Sequence, residues 1–105
     1  MKIKIPTTVS LAKRAGKVAS GEDAVKESIR NGSAALVILA EDAGANTFKS
    51  VTDSCAYYNV KYISLGTKEE LGRAIGNSFN AVIAIRDAGF AKSIEKAINN
   101  GGEVL

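Results

Sequence analysis

The segment ALVILA, Ala35 to Ala40, is six consecutive apolar residues between two groups of turn formers, NGS before it and EDAG after it. A strand with one wet face alternates apolar and polar residues. A short unalternating run closed off by turn residues reads instead as a strand covered on both faces. Such a strand needs a helix layer above and another below, so the rest of the chain must supply amphipathic helix on both sides of a sheet.

The remaining pattern does so. VKYISL and AVIAI are shorter apolar runs of the same kind, and the segments between the runs are amphipathic. Ala24, Val25, Ser28 and Ile29 share one face of a helix that begins near Gly21 and stops at Asn31-Gly32, a carboxy-terminal signal. Phe48, Val51, Cys55 and Tyr58 follow spacings of three, four and three, a core-facing stripe. Thr67 and Glu70 have the spacing of a capping box that opens the helix KEELGRAIG. Phe90, Ile94, Ala97 and Ile98 line one face of a last helix. The expected order is α, short β, α, β, α, β, α, β, α, an α/β chain whose sheet lies between helix layers.

At 105 residues the chain is expected to form one domain over 1–105, and its 46% hydrophobic and 24% charged residues are those of an ordinary globular protein. No run reaches the length of a membrane span. The start MKIKIPTTVSL lacks the continuous apolar segment of a secretion signal, so a cytoplasmic protein is expected. Cys55 is the single cysteine and there is no histidine. Those two counts exclude a zinc site of the Cys/His type, Ser-His and Cys-His nucleophile pairs, and imidazole acid-base chemistry. Cys55 itself reads as a small buried hydrophobe. Glu41-Asp42 and Glu69-Glu70 are adjacent carboxylates at expected caps and loops, which gives no basis for an enzyme.

The net charge of +3 is unevenly placed. Lys2, Lys4, Lys13, Arg14 and Lys17 precede the first acid, so the first 20 residues carry +5 and the other 85 sum to −2. A basic pole of this kind attracts nucleic acid or an acidic partner, or simply solvates the surface.

Two glycine-bearing loops hold the remaining chemistry. In GKVASGED, Gly16 and Gly21 have half the spacing of a phosphate-binding loop, but Glu22 and Asp23 stand where its Lys-Ser would be. A phosphate at that helix mouth would meet two carboxylates. Those carboxylates either stabilise their own helix or accept hydrogen bonds from base N–H donors, the Watson–Crick edge of guanine above all. In LGRAIGNSFNAV, Gly72 and Gly76 flank a short helix and Phe79 precedes the strand AVIAI. Phe79 either stacks on an unpaired base or folds back as the first core residue of that strand. The polar neighbours Asn77, Ser78 and Asn80 favour the outward ring.

The block GKVASGEDAVKESIRNGSAALVILAEDAG followed by YYNVKYISLGTKEELGRAIGNSFNAVIAIRDAGF resembles the ribosomal protein L7Ae/L30e family, in particular its short bacterial, ribosome-associated members. The resemblance extends from about Val9 to Phe90 and is most specific in IRNG-x-A-x-LVILAED and ELGRAIG. It implies a three-layer α/β/α sandwich with a mixed four-stranded sheet. It also implies binding to kink-turn-like internal loops, or other structured RNA, with ribosomal RNA and ribosomal proteins as partners and with no cofactor, metal or membrane. The RNA-binding residues it points to are Lys13, Arg14, Lys17, Ser20, Gly21, Glu22, Asp23, Lys26, Gly76, Asn77 and Phe79. Family members that bind kink-turns tightly carry Asn or Lys, then Glu or Gln, then Lys three residues later. The matching positions here are Asp23, Ala24 and Glu27. A module that has kept the fold for protein contacts is therefore the competing expectation.

Overall fold

The computed structural model describes residues 4–99, so Lys2 lies outside the described residues. The elements are α1 (Thr7–Arg14), β1 (Val18–Ser20), α2 (Glu22–Arg30), β2 (Leu36–Leu39), α3 (Ala45–Tyr58), β3 (Tyr62–Ser64), α4 (Lys68–Ala74), β4 (Val82–Ile85) and α5 (Ala88–Asn99). This is the expected alternation. The strands form one four-stranded sheet in the order β1-β4-β2-β3. β4 runs antiparallel to both β1 and β2, whereas β2 and β3 are parallel, so the sheet is mixed.

Both central strands are buried along their whole length. Their side chains alternate between two cores. Leu36, Ile38, Ile83 and Ile85 pack with Val9 and Ala12 of α1, Leu71 of α4 and Ile94 of α5. Val37, Leu39, Val82 and Ala84 pack on the opposite face with Val25 and Ile29 of α2 and Val51 and Cys55 of α3. Each large aliphatic side chain buried in this way contributes about 1.5–3 kcal/mol relative to exposure, and the continuous apolar runs exist because each face has its own helix layer. Burial pushes the Cys55 thiol up from its ordinary 9.0 to about 11.

Several sequence expectations are corrected. Ala24 is exposed, because α2 is buried along Val25, Ser28 and Ile29 only. Phe48 and Tyr58 also remain exposed, at 38% and 42%. Phe48 packs edge-on against Tyr62 of the edge strand β3, ring centroids 6.2 Å apart, and Tyr58 against its neighbour Tyr57 at 4.8 Å, so both rings lie at the margin of the layer and not in the core. β3 is not covered on both faces as Leu36–Leu39 are, and Ala35, ahead of β2, is exposed as well. β3 is an edge strand, with Tyr62 and Ser64 exposed. Gly72 lies inside α4 and does not flank it. The Thr67–Glu70 capping box is present in both directions, Glu70 N–H donating to Thr67 Oγ1 at 3.1 Å and Thr67 N–H to Glu70 Oε1 at 2.9 Å.

Candidate nucleic-acid interface

Strand directions bring the two glycine loops together. Ser20 at the end of β1 pairs with Ile83, and Leu39 at the end of β2 pairs with Val82. The mouth of α2, which follows β1, therefore sits at the same end of the sheet as the loop that enters β4. One backbone carbonyl joins them: Val82 O accepts the Gly21 N–H at 3.1 Å and Asn80 Nδ2–H at 3.2 Å.

Gly21 has φ 92° and ψ 155°, a combination open essentially to glycine alone. It lets the chain leave β1 at Ser20, which is half-buried, and turn directly into α2. No side chain caps that helix, and Glu22 and Asp23 occupy its first turn. Glu22 is half-buried and accepts a hydrogen bond from Thr47 Oγ1 of α3 at 3.1 Å, while Asp23 is exposed. Lys26 Nζ donates to Ser50 Oγ, also on α3, at 2.7 Å. The mouth is thus braced against a neighbouring helix, and the outward carboxylate is Asp23. Among the three positions where the kink-turn pattern departs, Asp23 and Ala24 are exposed and Glu27 is ion-paired with Arg30 on its own helix.

The second loop is held from beneath while its tip points outward. Asn77 N–H donates to Gly72 O at 2.8 Å and Asn80 N–H to Lys68 O at 2.9 Å. Asn77 Nδ2 donates to Asn80 Oδ1 at 2.8 Å, and Asn80 is buried. Gly76, just past the end of α4, is exposed, as is Asn77. Phe79 is 69% exposed. The ring belongs to a loop tip, and the strand is filled without it.

Lys13, Arg14 and Lys17 lie elsewhere. Lys17 N–H donates to Ala12 O at 2.9 Å, and Lys17 O accepts from Arg86 N–H at 2.7 Å, just past the end of β4. These cations sit at the opposite end of β1 and β4 from Gly21 and Phe79. Carboxylates gather at the other end: Glu22, Asp23, Glu41 and Asp42 follow the ends of β1 and β2 beside Gly21, and Asp42 Oδ1 accepts the Lys68 N–H there at 2.7 Å.

Several residues of this arrangement escape the sequence pattern. Thr47 and Ser50 orient Glu22 and Lys26 from 25 and 24 positions away, and nothing local marks them. Arg86, which joins the cationic end, follows AVIAI without a motif of its own. Asn80 was legible only as a turn former, although its buried side chain ties the two loops together.

An α/β/α sandwich with these two loops at one sheet end defines a protein class. Residues 3–95 match the ribosomal protein L7Ae/L30e/S12e/Gadd45 family, and the chain belongs to that family. Among its relatives is the RNA-binding protein YlxQ of Bacillus subtilis (strain 168), 50% identical over 86 residues, which cover 82% of this chain and 86% of that protein. A protein of unknown function from Bacillus halodurans C superimposes with a TM-score of 0.84 at 38% identity, covering 89% of this chain and 94% of that one. The Giardia lamblia 15.5kD RNA binding protein superimposes with a TM-score of 0.71 at 25% identity, covering 89% of this chain and 83% of that one.

Proposed function

We propose that this chain is a non-enzymatic RNA-binding protein of the cytoplasm, acting on structured RNA of the ribosome, with the α2 mouth and the loop before β4 as its reading surface. The observation that carries this reading is Phe79, an aromatic ring 69% exposed on a loop otherwise fastened to α4 and β4. A ring held out of the core by a braced loop is available to stack on an unpaired base. Across the shared Val82 carbonyl, Glu22 and Asp23 supply acceptors for guanine N–H donors, and Ser20, Gly21, Gly76 and Asn77 offer backbone and amide groups beside them. Lys26, held by Ser50 beside the same mouth, is the phosphate contact there. Family membership and the name of the B. subtilis relative support the reading, as does the Giardia protein's title.

The test is a titration of two RNA hairpins, one with an internal loop containing tandem G·A pairs and one fully paired, at two salt concentrations. Preferential binding of the internal-loop hairpin is expected, with affinity falling as salt rises. Equal binding of both, or binding of neither, overturns the proposal. A second reading, a protein-docking module, draws on Tyr57, 82% exposed, and on Tyr58, Tyr62 and Phe48 around α3 and the β3 edge. It predicts association with a protein partner that barely responds to salt.

A further inference from the structure

The cations Lys13, Arg14, Lys17 and Arg86 lie at the opposite end of the sheet from Gly21 and the Phe79 loop. We propose that Lys13, Arg14, Lys17 and Arg86 form a second, separate surface that holds the phosphate backbone of another RNA segment while the Phe79 end reads the first. The proposal deepens the RNA-binding reading and rests on it for the first segment only.

The cationic surface is built from one compact turn. Gly16 N–H donates to Lys13 O at 3.0 Å, closing the end of α1, and Lys17 is then folded back onto Ala12. Arg86 reaches across from the end of β4 and donates from Nη2 to Gly16 O at 2.9 Å, which adds its charge to the turn. All four residues are exposed, and none has an ion pair among the described residues. By contrast Arg30, Lys49, Lys61 and Arg73 are each paired with a carboxylate. The nearest acid in sequence, Asp87, already accepts the Phe90 N–H at 2.8 Å at the start of α5.

The two ends suit different parts of a nucleic acid. Phe79 and Arg86 flank opposite ends of β4, whose four residues span about 13 Å. The cations carry no aromatic ring on which a base could stack, and their charge suits phosphate. The reading end has the ring and the carboxylates, whose charge repels phosphate. A single short loop bound at Phe79 leaves the cationic turn unoccupied, and a second RNA segment is the partner whose charge complements it.

Capture of two RNAs at once tests this. The full chain is saturated with an unlabelled internal-loop hairpin and titrated with a fluorescently labelled plain RNA duplex. The complex is expected to retain the duplex without releasing the hairpin. The triple variant Lys13→Glu, Arg14→Glu, Lys17→Glu is expected to lose duplex binding at least about tenfold, and the slope of log affinity against log salt should flatten by roughly one per cation removed. Its hairpin affinity should be nearly unchanged. The neutral variant Lys13→Gln, Arg14→Gln, Lys17→Gln, which introduces no repulsion, should show the same pattern more weakly. Displacement of the hairpin by the duplex overturns the proposal, because both would then share one site. Parallel loss of both affinities in the triple variant overturns it too, as does binding of polyglutamate with no binding of duplex. If wild type fails to prefer the hairpin but the triple variant still abolishes duplex binding, the reading surface is lost and the cationic surface stands.

Discussion

A Cβ placed on Gly72 would lie 2.8 Å from both the Cα and the N of Phe79, closer than real side chains approach a backbone. Gly72 is buried within α4, and its missing side chain is what allows the loop carrying Phe79 to lie flat against the helix.

Gly72→Ala therefore sets two effects against each other. Alanine improves helix propensity by about 1 kcal/mol, whereas overpacking against rigid backbone costs about 1–3 kcal/mol or more. The steric term wins, because the loop is pinned by Asn77 N–H on Gly72 O and cannot drift freely. A lower melting temperature and weaker internal-loop RNA binding are expected together. An unchanged melt with full affinity would mean that the loop yields at no cost.

Phe79→Ala separates binding from stability. The ring is 69% exposed, so its removal leaves the melting temperature nearly unchanged. Loss of one base stack weakens RNA binding by about 1–3 kcal/mol. A thermal melt and a binding titration on the same variant measure both, and a large fall in melting temperature with intact affinity would contradict the assignment of the ring to RNA.

Gly21→Ala acts through the backbone alone. Nothing lies within 4 Å of the added Cβ, but the residue stands at φ 92° and ψ 155°, so substitution costs about 1–3 kcal/mol of strain. Gly21→Asn should be no better, since asparagine tolerates the left-handed helical region and not this extended one. Denaturant unfolding of the two variants checks this; rescue by asparagine would show that the backbone has moved to a different conformation.

Cys55 should resist thiol reagents in the folded protein. Its thiol is buried and its pKa raised to about 11, so the reactive thiolate is scarce and shielded at pH 8. Labelling should follow unfolding, with rates that rise with denaturant. The linkage has a definite sign: the folded pKa lies above the unfolded one, so this contribution is fully present below pH 9.0 and declines as pH rises through about 11. Cys55→Val should remove that alkaline decline.

The sequence by itself determined the element order, the two-sided burial of Leu36–Leu39 and Val82–Ile85, the Thr67–Glu70 cap and the burial of Cys55, and its polar turn formers favoured the outward position of Phe79. These were legible because each depends on neighbours within a few residues: periodicity, turn formers and capping spacing act locally. Ala24, Phe48, Tyr58 and the β3 edge were misread because their burial depends on where the other elements are placed against them, and no local pattern records that. Only the tertiary structure decided which loops meet. Antiparallel pairing of β4 with β1 and β2 placed Gly21 beside the Phe79 loop through the Val82 carbonyl, and the same pairing carried Lys13, Arg14 and Lys17 to the far end with Arg86. Strand direction is settled by the packing of whole layers, so residues 61 positions apart in the chain, Gly21 and Val82, share a hydrogen bond, while Lys17 and Gly21, four positions apart, face opposite ends of the sheet.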